Sequence, residues 1–408
     1  MDTDTFWMRL KKIGPALVLA AVVLGPGSIT LSTNAGSAYG YGLLWVPVMT
    51  TIFMITYTWM AARIGLITRQ TLFEVTRKQY GKTLSVLGGI TGFLAILAFQ
   101  ASNSAALGMC GELLLGMDPR LTALILFFPA LGLIFLPNLY RKLEFLVKLV
   151  VGAMVFAFVG TLFTVGVDFS AMLGGFVPRF PESDGINTPP LLLALGIAAT
   201  TFSIAAAAYQ THLMREKDWS SEDINTASMD TLFGIGILGG VSIIILLTSA
   251  GIMRAQGETG FRLVDMANIL EPFAGPAAFY LFMFGFFFAA FSSTVVNPLI
   301  GATLLVDGLG KDAAMDHKPV KIWTTVAMTA GLLVVLIFGG QPTEVLRIAQ
   351  ALSVVAFPIL GFLIFALARN KELMGKYATP LWVQGIAALG YLTLLGIVLN
   401  NVREILGL

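Results

Sequence analysis

Hydrophobic positions in this chain do not alternate and do not form one stripe per helix; they fall into long unbroken runs separated by short polar stretches. Runs of about 20 apolar residues match the thickness of a bilayer core crossed by a helix. The pattern predicts eleven such spans, centred near Val22, Met54, Ala98, Pro129, Phe156, Ser203, Val241, Phe286, Met328, Ala356 and Ala387. The expected fold class is therefore an all-α membrane protein with eleven transmembrane helices. Basic residues orient it, because cytoplasmic loops hold the excess of Lys and Arg. Of the 25 Lys and Arg residues, only Arg120, Arg179, Arg254, Arg262, Arg347 and Arg403 fall on one side of this topology. The rest, from Arg9 to Lys376, alternate onto the other side. That places the N-terminus in the cytoplasm and the C-terminus outside.

Two outer connections are long: Ser170 to Pro190, and Arg254 to Gly275. Within the second, Phe261 to Leu270 has the pattern of a short amphipathic helix lying on the surface. Neither connection is long enough for a separate domain, so residues 1–408 form a single membrane domain.

Two spans depart from the simple pattern. The first contains Gly25-Pro26-Gly27-Ser28-Ile29-Thr30, where two glycines flank a residue that has no N–H, so a helix is interrupted there. At membrane depth irregular backbone is tolerated where it is buried in protein or lines a cavity. The break is thus either a binding site or a plain kink. The sixth span is the second anomaly: Thr200, Thr201, Ser203, Gln210, Thr211 and His212 give it dense polar content. Spans one and six each begin a block of five helices, and because five is odd the blocks have opposite topology. That is the arrangement of inverted-repeat transporters, whose substrate lies near the midplane between discontinuous helices.

Composition narrows the class further. The chain is 57% hydrophobic and 12% charged over 408 residues, with a net charge of +2. No basic face suits nucleic acid, and no cleavage pattern follows the polar Met1 to Lys12 segment, so the first helix is expected to be retained. Cys110 stands alone, which excludes an intrachain disulfide and a thiolate metal cluster. No nucleophile and base pair or cofactor motif marks an enzyme, and no charged ring marks a channel filter.

Several short motifs, in order, carry a resemblance. They are Ala62-Arg63-Ile64-Gly65-Leu66-Ile67-Thr68 followed by Leu72-Phe73-Glu74-Val75 and Tyr80; Arg141-Lys142-Leu143-Glu144; Ser292-Ser293-Thr294 with Val306-Asp307-Gly308; and Gln350 with Pro358. Together they resemble the natural resistance-associated macrophage protein (Nramp) family of metal-ion transporters over most of the chain. The resemblance implies a 5+5 inverted repeat of the LeuT/APC-superfamily fold with helices 1 and 6 discontinuous. Residues 1–13 would be the cytoplasmic N-terminus, 14–168 the first repeat, 191–368 the second and 380–399 the eleventh helix. It also implies divalent cation transport in a multi-pass cell (inner or plasma) membrane protein.

The departures from the family pattern are as informative. Gly25-Pro26-Gly27-Ser28 stands where the family carries Asp-Pro-Gly-Asn, so the metal-binding Asp and Asn are Gly25 and Ser28. Aligning His212 with the second span-six histidine puts Ala205-Ala206-Ala207 in place of Met-Pro-His. Ala101 to Ala106 replaces the acidic residues of span three. The resemblance therefore points to Gly25, Gly27, Ser28, Thr30, Ala205, Ala208, Tyr209 and Gln350 as the substrate site, with no certain metal ligand.

The remaining residues leave alternatives open. Carbonyls, hydroxyls and amides suit a partly hydrated cation; free N–H groups at half-helix N-termini suit an anionic or zwitterionic solute instead. His212 either carries a coupled proton or hydrogen-bonds locally at its span end. Ser292, Ser293, Thr294 and Asn297 either form a secondary ion site or serve interhelical packing. Glu112, Glu144 and Asp307, toward span ends, read as solvated or structural. The expectation is a monomeric secondary transporter in the lipid bilayer, moving a divalent metal of the Mn2+/Mg2+ class with altered selectivity and weak or no proton coupling. The rivals are an organic-solute carrier on the same scaffold and a transport-inactive sensor or interaction protein.

Overall fold

The computed structural model describes residues 25–182, 188–252, 262–339 and 356–406, with the backbone alone described for 137–148, 397–398 and 400–406. Every regular element among them is helical. The main helices are α1 (Pro26–Tyr39), α2 (Trp45–Thr68), α3 (Leu72–Tyr80), α4 (Lys82–Leu115), α5 (Pro119–Phe135) and α6 (Pro137–Val165). They continue as α7 (Pro190–Thr201), α8 (Ile204–Glu216), α9 (Ile224–Ile252), α10 (Ala278–Gly308), α11 (Lys318–Phe338), α12 (Phe357–Arg369) and α13 (Leu381–Leu406). Six described segments are long and apolar enough to cross a membrane, α7 and α8 counting together as one. Ten of the expected span centres fall on these helices or at their ends. Val22 lies outside the described residues.

Two long helices form the axis of the bundle. α4 and α10 run side by side, close enough that a Cβ on Gly89 would fall 2.9 Å from the Gly308 Cα and 2.9 Å from the Leu304 carbonyl oxygen. Small residues at such contacts let helices approach closely where no hydrophobic effect drives them together. α1 lies on α9, where the Ser249 hydroxyl donates to the Thr33 carbonyl at 2.7 Å. The outward surface is apolar, with Phe163 and Leu381 each 83% exposed, while polar residues such as Ser102, Gln210 and Thr231 are fully enclosed. That inversion of the soluble pattern is what a lipid solvent selects.

Span six is broken. α7 ends at Thr201 and α8 starts at Ile204, with Phe202 (φ −105°, ψ 70°) and Ser203 (φ −76°, ψ 94°) outside helical geometry. No Gly or Pro lies there. Thr200 bends the last turn of α7 by donating back to the Gly196 and Ile197 carbonyls, both at 3.1 Å, a local competition that hydroxyl side chains offer in helices. Phe202 is then anchored among other rings: centroids lie 5.2 Å from Tyr57, 5.0 Å from Phe357 and 6.2 Å from Phe53. Aromatic packing holds the unwound residues where α2, α7 and α12 meet.

The surface helix expected at Phe261 to Leu270 is present in part. A six-residue helix, Leu263–Asn268, buries Leu263, Met266 and Ala267 and pairs Arg262 with Asp265 at 2.7 Å. Phe261 lies outside the described residues.

Candidate functional site

α1 begins within the predicted Gly25-Pro26-Gly27 stretch, and the residues before Gly25 lie outside the described ones. Gly25 is its N-cap in extended backbone, and Pro26 occupies the first helical position, where a missing N–H costs nothing. The first turn carries N–H groups without intrahelical partners, and its opening bond, Ile29 N–H to the Gly25 carbonyl, is long at 3.5 Å. Gly25, Gly27, Ser28 and Thr30 are all buried. A Cβ on Gly25 would lie 3.3 Å from Ser293 Oγ of α10 and 3.6 Å from Asn103 Oδ1 of α4. The α1 terminus therefore meets one hydroxyl and one amide from the two axial helices.

This neighbourhood is polar, neutral and short of partners. Asn103 is 3% exposed and its amide nitrogen has no hydrogen-bond partner in the protein. Gln100, one turn earlier on α4 and against Gly331 of α11, lacks partners for both amide atoms, as does the Thr294 hydroxyl. Buried polar atoms are almost always satisfied, so such a concentration calls for water or a solute to complete it. Among the described residues no three His, Cys, Asp or Glu side chains cluster to hold a metal ion. What the α1 terminus offers instead is oxygens, amide groups and a helix dipole.

At the α7–α8 break the structure places a different surface. Ala205, with Ser203, Phe202, Phe99 and Phe357, lines a cavity of about 10 Å³, about the least that one water molecule occupies. Gly25 and Ser28 are not among its walls. Ala208 and Tyr209 are buried on α8; Tyr209 stacks on His212 at 5.5 Å between ring centres, and its hydroxyl lies 3.7 Å from Met315 Sδ. The structure thus brings Gly25 together with Asn103 and Ser293, while Ala205 lines a cavity whose walls include none of those three. Gln350 lies outside the described residues, as does the side chain of Glu144.

The charged groups gather at one end of the bundle. His212 Nε2 lies 3.1 Å from Asp307 Oδ2, with both side chains at most 3% exposed. The other Asp307 oxygen accepts from Arg77 at 3.2 Å. Arg77 also donates to the Asp307 carbonyl and, at 3.1 Å, to Ser85 Oγ. Asp307 is therefore enclosed and ion-paired, which removes the solvated reading of that residue, while Glu112 is exposed. His212 Nε2 thus faces Asp307 on α10 at ion-pair distance, without a hydrogen bond in this geometry. Thr71 starts α3 with a capping box, exchanging bonds of 3.2 and 3.0 Å with Glu74, and this sets Arg77 at the far end of the same short helix. Further ties run from α3 to α8: Leu72 N–H donates to Thr211 Oγ1 at 3.0 Å, and Arg215 pairs with Glu74 at 3.1 Å.

Sequence reasoning missed Asn103 as a site residue, along with the burial of Asp307 and of Asp230, which is fully enclosed within α9. For Asn103 a signal existed: Gln100, Asn103 and Ser104 share one helical face inside an apolar span. For Asp307 none did, since its enclosure depends on α3 folding back across the end of α10.

At the opposite end Tyr39 donates to the Thr188 carbonyl at 2.7 Å and Trp45 Nε1 to the Arg179 carbonyl at 3.0 Å. Comparison with known proteins decides the lineage. Residues 16–404 match the model of the Nramp family, natural resistance-associated macrophage protein-like. The chain belongs to the Nramp family. Relatives of this Nramp protein include the divalent metal cation transporters MntH of Verminephrobacter eiseniae, 24% identical across 94% of this chain and 86% of that one, and of Bacillus subtilis, 27% identical across 91% and 87%. In fold it resembles a manganese transporter of Eremococcus coleocola, solved with an aromatic bis-isothiourea substituted compound, with a TM-score of 0.82 at 17% identity over 99% of this chain and 88% of that one. A histidine-to-alanine mutant of the same transporter matches with a TM-score of 0.80.

Proposed function

We propose that this Nramp protein is a secondary transporter that moves a divalent metal cation of the Mn2+/Mg2+ class by alternating access, with altered selectivity and weak or no proton coupling. Its relatives bear the name of divalent metal cation transporters, which supports that class of cargo. The observation that carries the altered selectivity is the neutral cluster of Gly25, Asn103 and Ser293 at the α1 terminus. A bare Mn2+ favours carboxylate, imidazole or thioether ligands. Neutral oxygens and amides suit a cation that keeps part of its water shell, as Mg2+ prefers to do. Gly25, Gly27, Ser28 and Thr30 on α1 and Ala205, Ala208 and Tyr209 on α8 would form the two walls of the pathway, with Gln350 contributing from span ten.

In this reading the chain has eleven spans in a 5+5 inverted repeat, over 14–168 and 191–368, with helix 380–399 appended and the N-terminus (1–13) cytoplasmic. α8 is the moving half of the broken span, and the ties from His212, Thr211 and Arg215 fasten it to α10 and α3 as an inner gate. His212 is committed to Asp307, which supports weak coupling over a free proton carrier. The chain works as a monomer in the lipid bilayer and catalyses no covalent chemistry.

The test is uptake of Mn2+ and Mg2+ into proteoliposomes with internal pH followed in parallel. Saturable flux of either ion without matching acidification is the expected result; absence of both fluxes overturns the reading. One observation favours the organic-solute rival: the unpartnered Asn103 amide nitrogen beside the α1 N-terminus presents donors and a positive dipole end to an anionic group. Protection from thermal unfolding by a carboxylate metabolite, with no response to either metal, would establish that rival.

A further inference from the structure

A groove of about 500 Å³ opens between α12 and α13 beside the end of α3, within the roughly 300–1,000 Å³ of small-molecule sites. Tyr80, Phe362, Phe365, Ala388 and Tyr391 line it, and Arg369 stands at its edge. The Tyr80 and Phe362 rings lie 6.4 Å apart. Tyr391 directs its hydroxyl inward to the Pro358 carbonyl at 3.0 Å, so its ring, not its polar tip, is what the groove receives. The wall is open: Phe362 is 46% exposed.

The charge at the edge is not neutralised. Arg369 holds its guanidinium 5.6 Å from the Phe365 ring centre and pairs with no carboxylate among the described residues. Exposed Lys78 and Lys82 flank Tyr80 in the chain, and exposed Lys371 and Lys376 follow Arg369, with Glu372 as the acidic neighbour. An apolar aromatic trough that ends in a cation without a carboxylate partner matches a molecule with a long hydrocarbon chain and a phosphate carrying net negative charge. A guanidinium engages phosphate through paired donors, and basic pockets between spanning helices favour anionic head groups. A zwitterionic head group brings a second cation to the same rim and loses that advantage.

We propose that the α12–α13 groove binds an anionic diacyl phospholipid, with its phosphate on Arg369 and one acyl chain along Phe362 and Tyr391. The site is separate from the Gly25 cluster and does not depend on which solute is transported. Native mass spectrometry of the full-length protein, released from mixed phosphatidylglycerol and phosphatidylcholine, tests it. The wild-type protein is expected to retain phosphatidylglycerol about fivefold over phosphatidylcholine, the preference that one basic residue gives near an anionic surface. Arg369→Gln should bring the two lipids level by removing the charge. Ala388→Trp should do so by filling the groove while leaving every charge in place. The thermal unfolding midpoint of each variant reports that it is folded. Equal retention of the two lipids by the wild-type protein overturns the proposal, and so does a preference that survives either substitution.

Discussion

At the amino end of α1 the enclosed side chains are Asn103, Ser293 and Ser28, all neutral; at the basic end of the bundle Arg77, His212 and Asp307 are gathered at ion-pair distances. Both clusters draw on α10, and they divide its functions. A charge in a low-dielectric interior is tolerable when its partner is fixed beside it, and removing one partner is what makes the other costly. The charged cluster is therefore a fastener: it is stable while α3, α8 and α10 stay together and strained when they part. The neutral cluster has no such commitment, since amides and hydroxyls can exchange a solute for water at small cost. In the proposed transport cycle, α8 moves against the fastener, and cargo passes the neutral wall.

The sharpest way to break this division is Asp307→Ala, which removes the carboxylate facing both Arg77 and His212 and leaves Arg77 its bonds to Ser85 Oγ and the 307 backbone carbonyl. A loss of ~3–5 kcal/mol of stability is expected, read as a lowered midpoint in detergent unfolding. His212→Ala should cost less, ~1–3 kcal/mol, because Asp307 keeps Arg77; an equal loss in the two variants would show that the histidine, not the arginine, carries the cluster. Converting the neutral site toward a charged one is the third test. Gly25→Asp with Ser293→Ala is expected to tighten Mn2+ binding about tenfold, on the order of 1.4 kcal/mol, by calorimetric titration. Gly25→Asp alone should gain less, because its Cβ would meet Ser293 Oγ at 3.3 Å. Unchanged affinity in the double variant would place the cargo elsewhere. The smallest effect belongs to Glu74→Gln, whose Arg215 partner is 38% exposed; a change under ~1 kcal/mol is expected for an exposed pair, and a larger one would make it part of the fastener.

Much of this was legible along the chain. The apolar runs located described helices at ten of the predicted centres, six segments of them long and apolar enough to cross a membrane, and Gly25-Pro26-Gly27 marked where α1 starts, because a residue without an N–H and two without side chains act on the backbone locally. The Ala101 to Ala106 stretch was visible as a loss of acidic residues, yet the role of Asn103 was not, since its meaning comes from Gly25 arriving beside it from 78 positions earlier. The break in span six was anticipated from polar density and topology, although no residue in Phe202-Ser203 forbids a helix.

Sequence by itself determined the solvent, the helical class and where α1 starts. Apolar length and proline chemistry act within a few residues and need no partner. Tertiary structure alone decided that span six unwinds at Phe202, where rings from α2 and α12 hold it. It also decided that Asp307 is a buried ion-pair acceptor and not a solvated helix end. In both cases the controlling atoms come from helices far away in the chain, and burial and charge pairing are properties of that assembly, not of the residue.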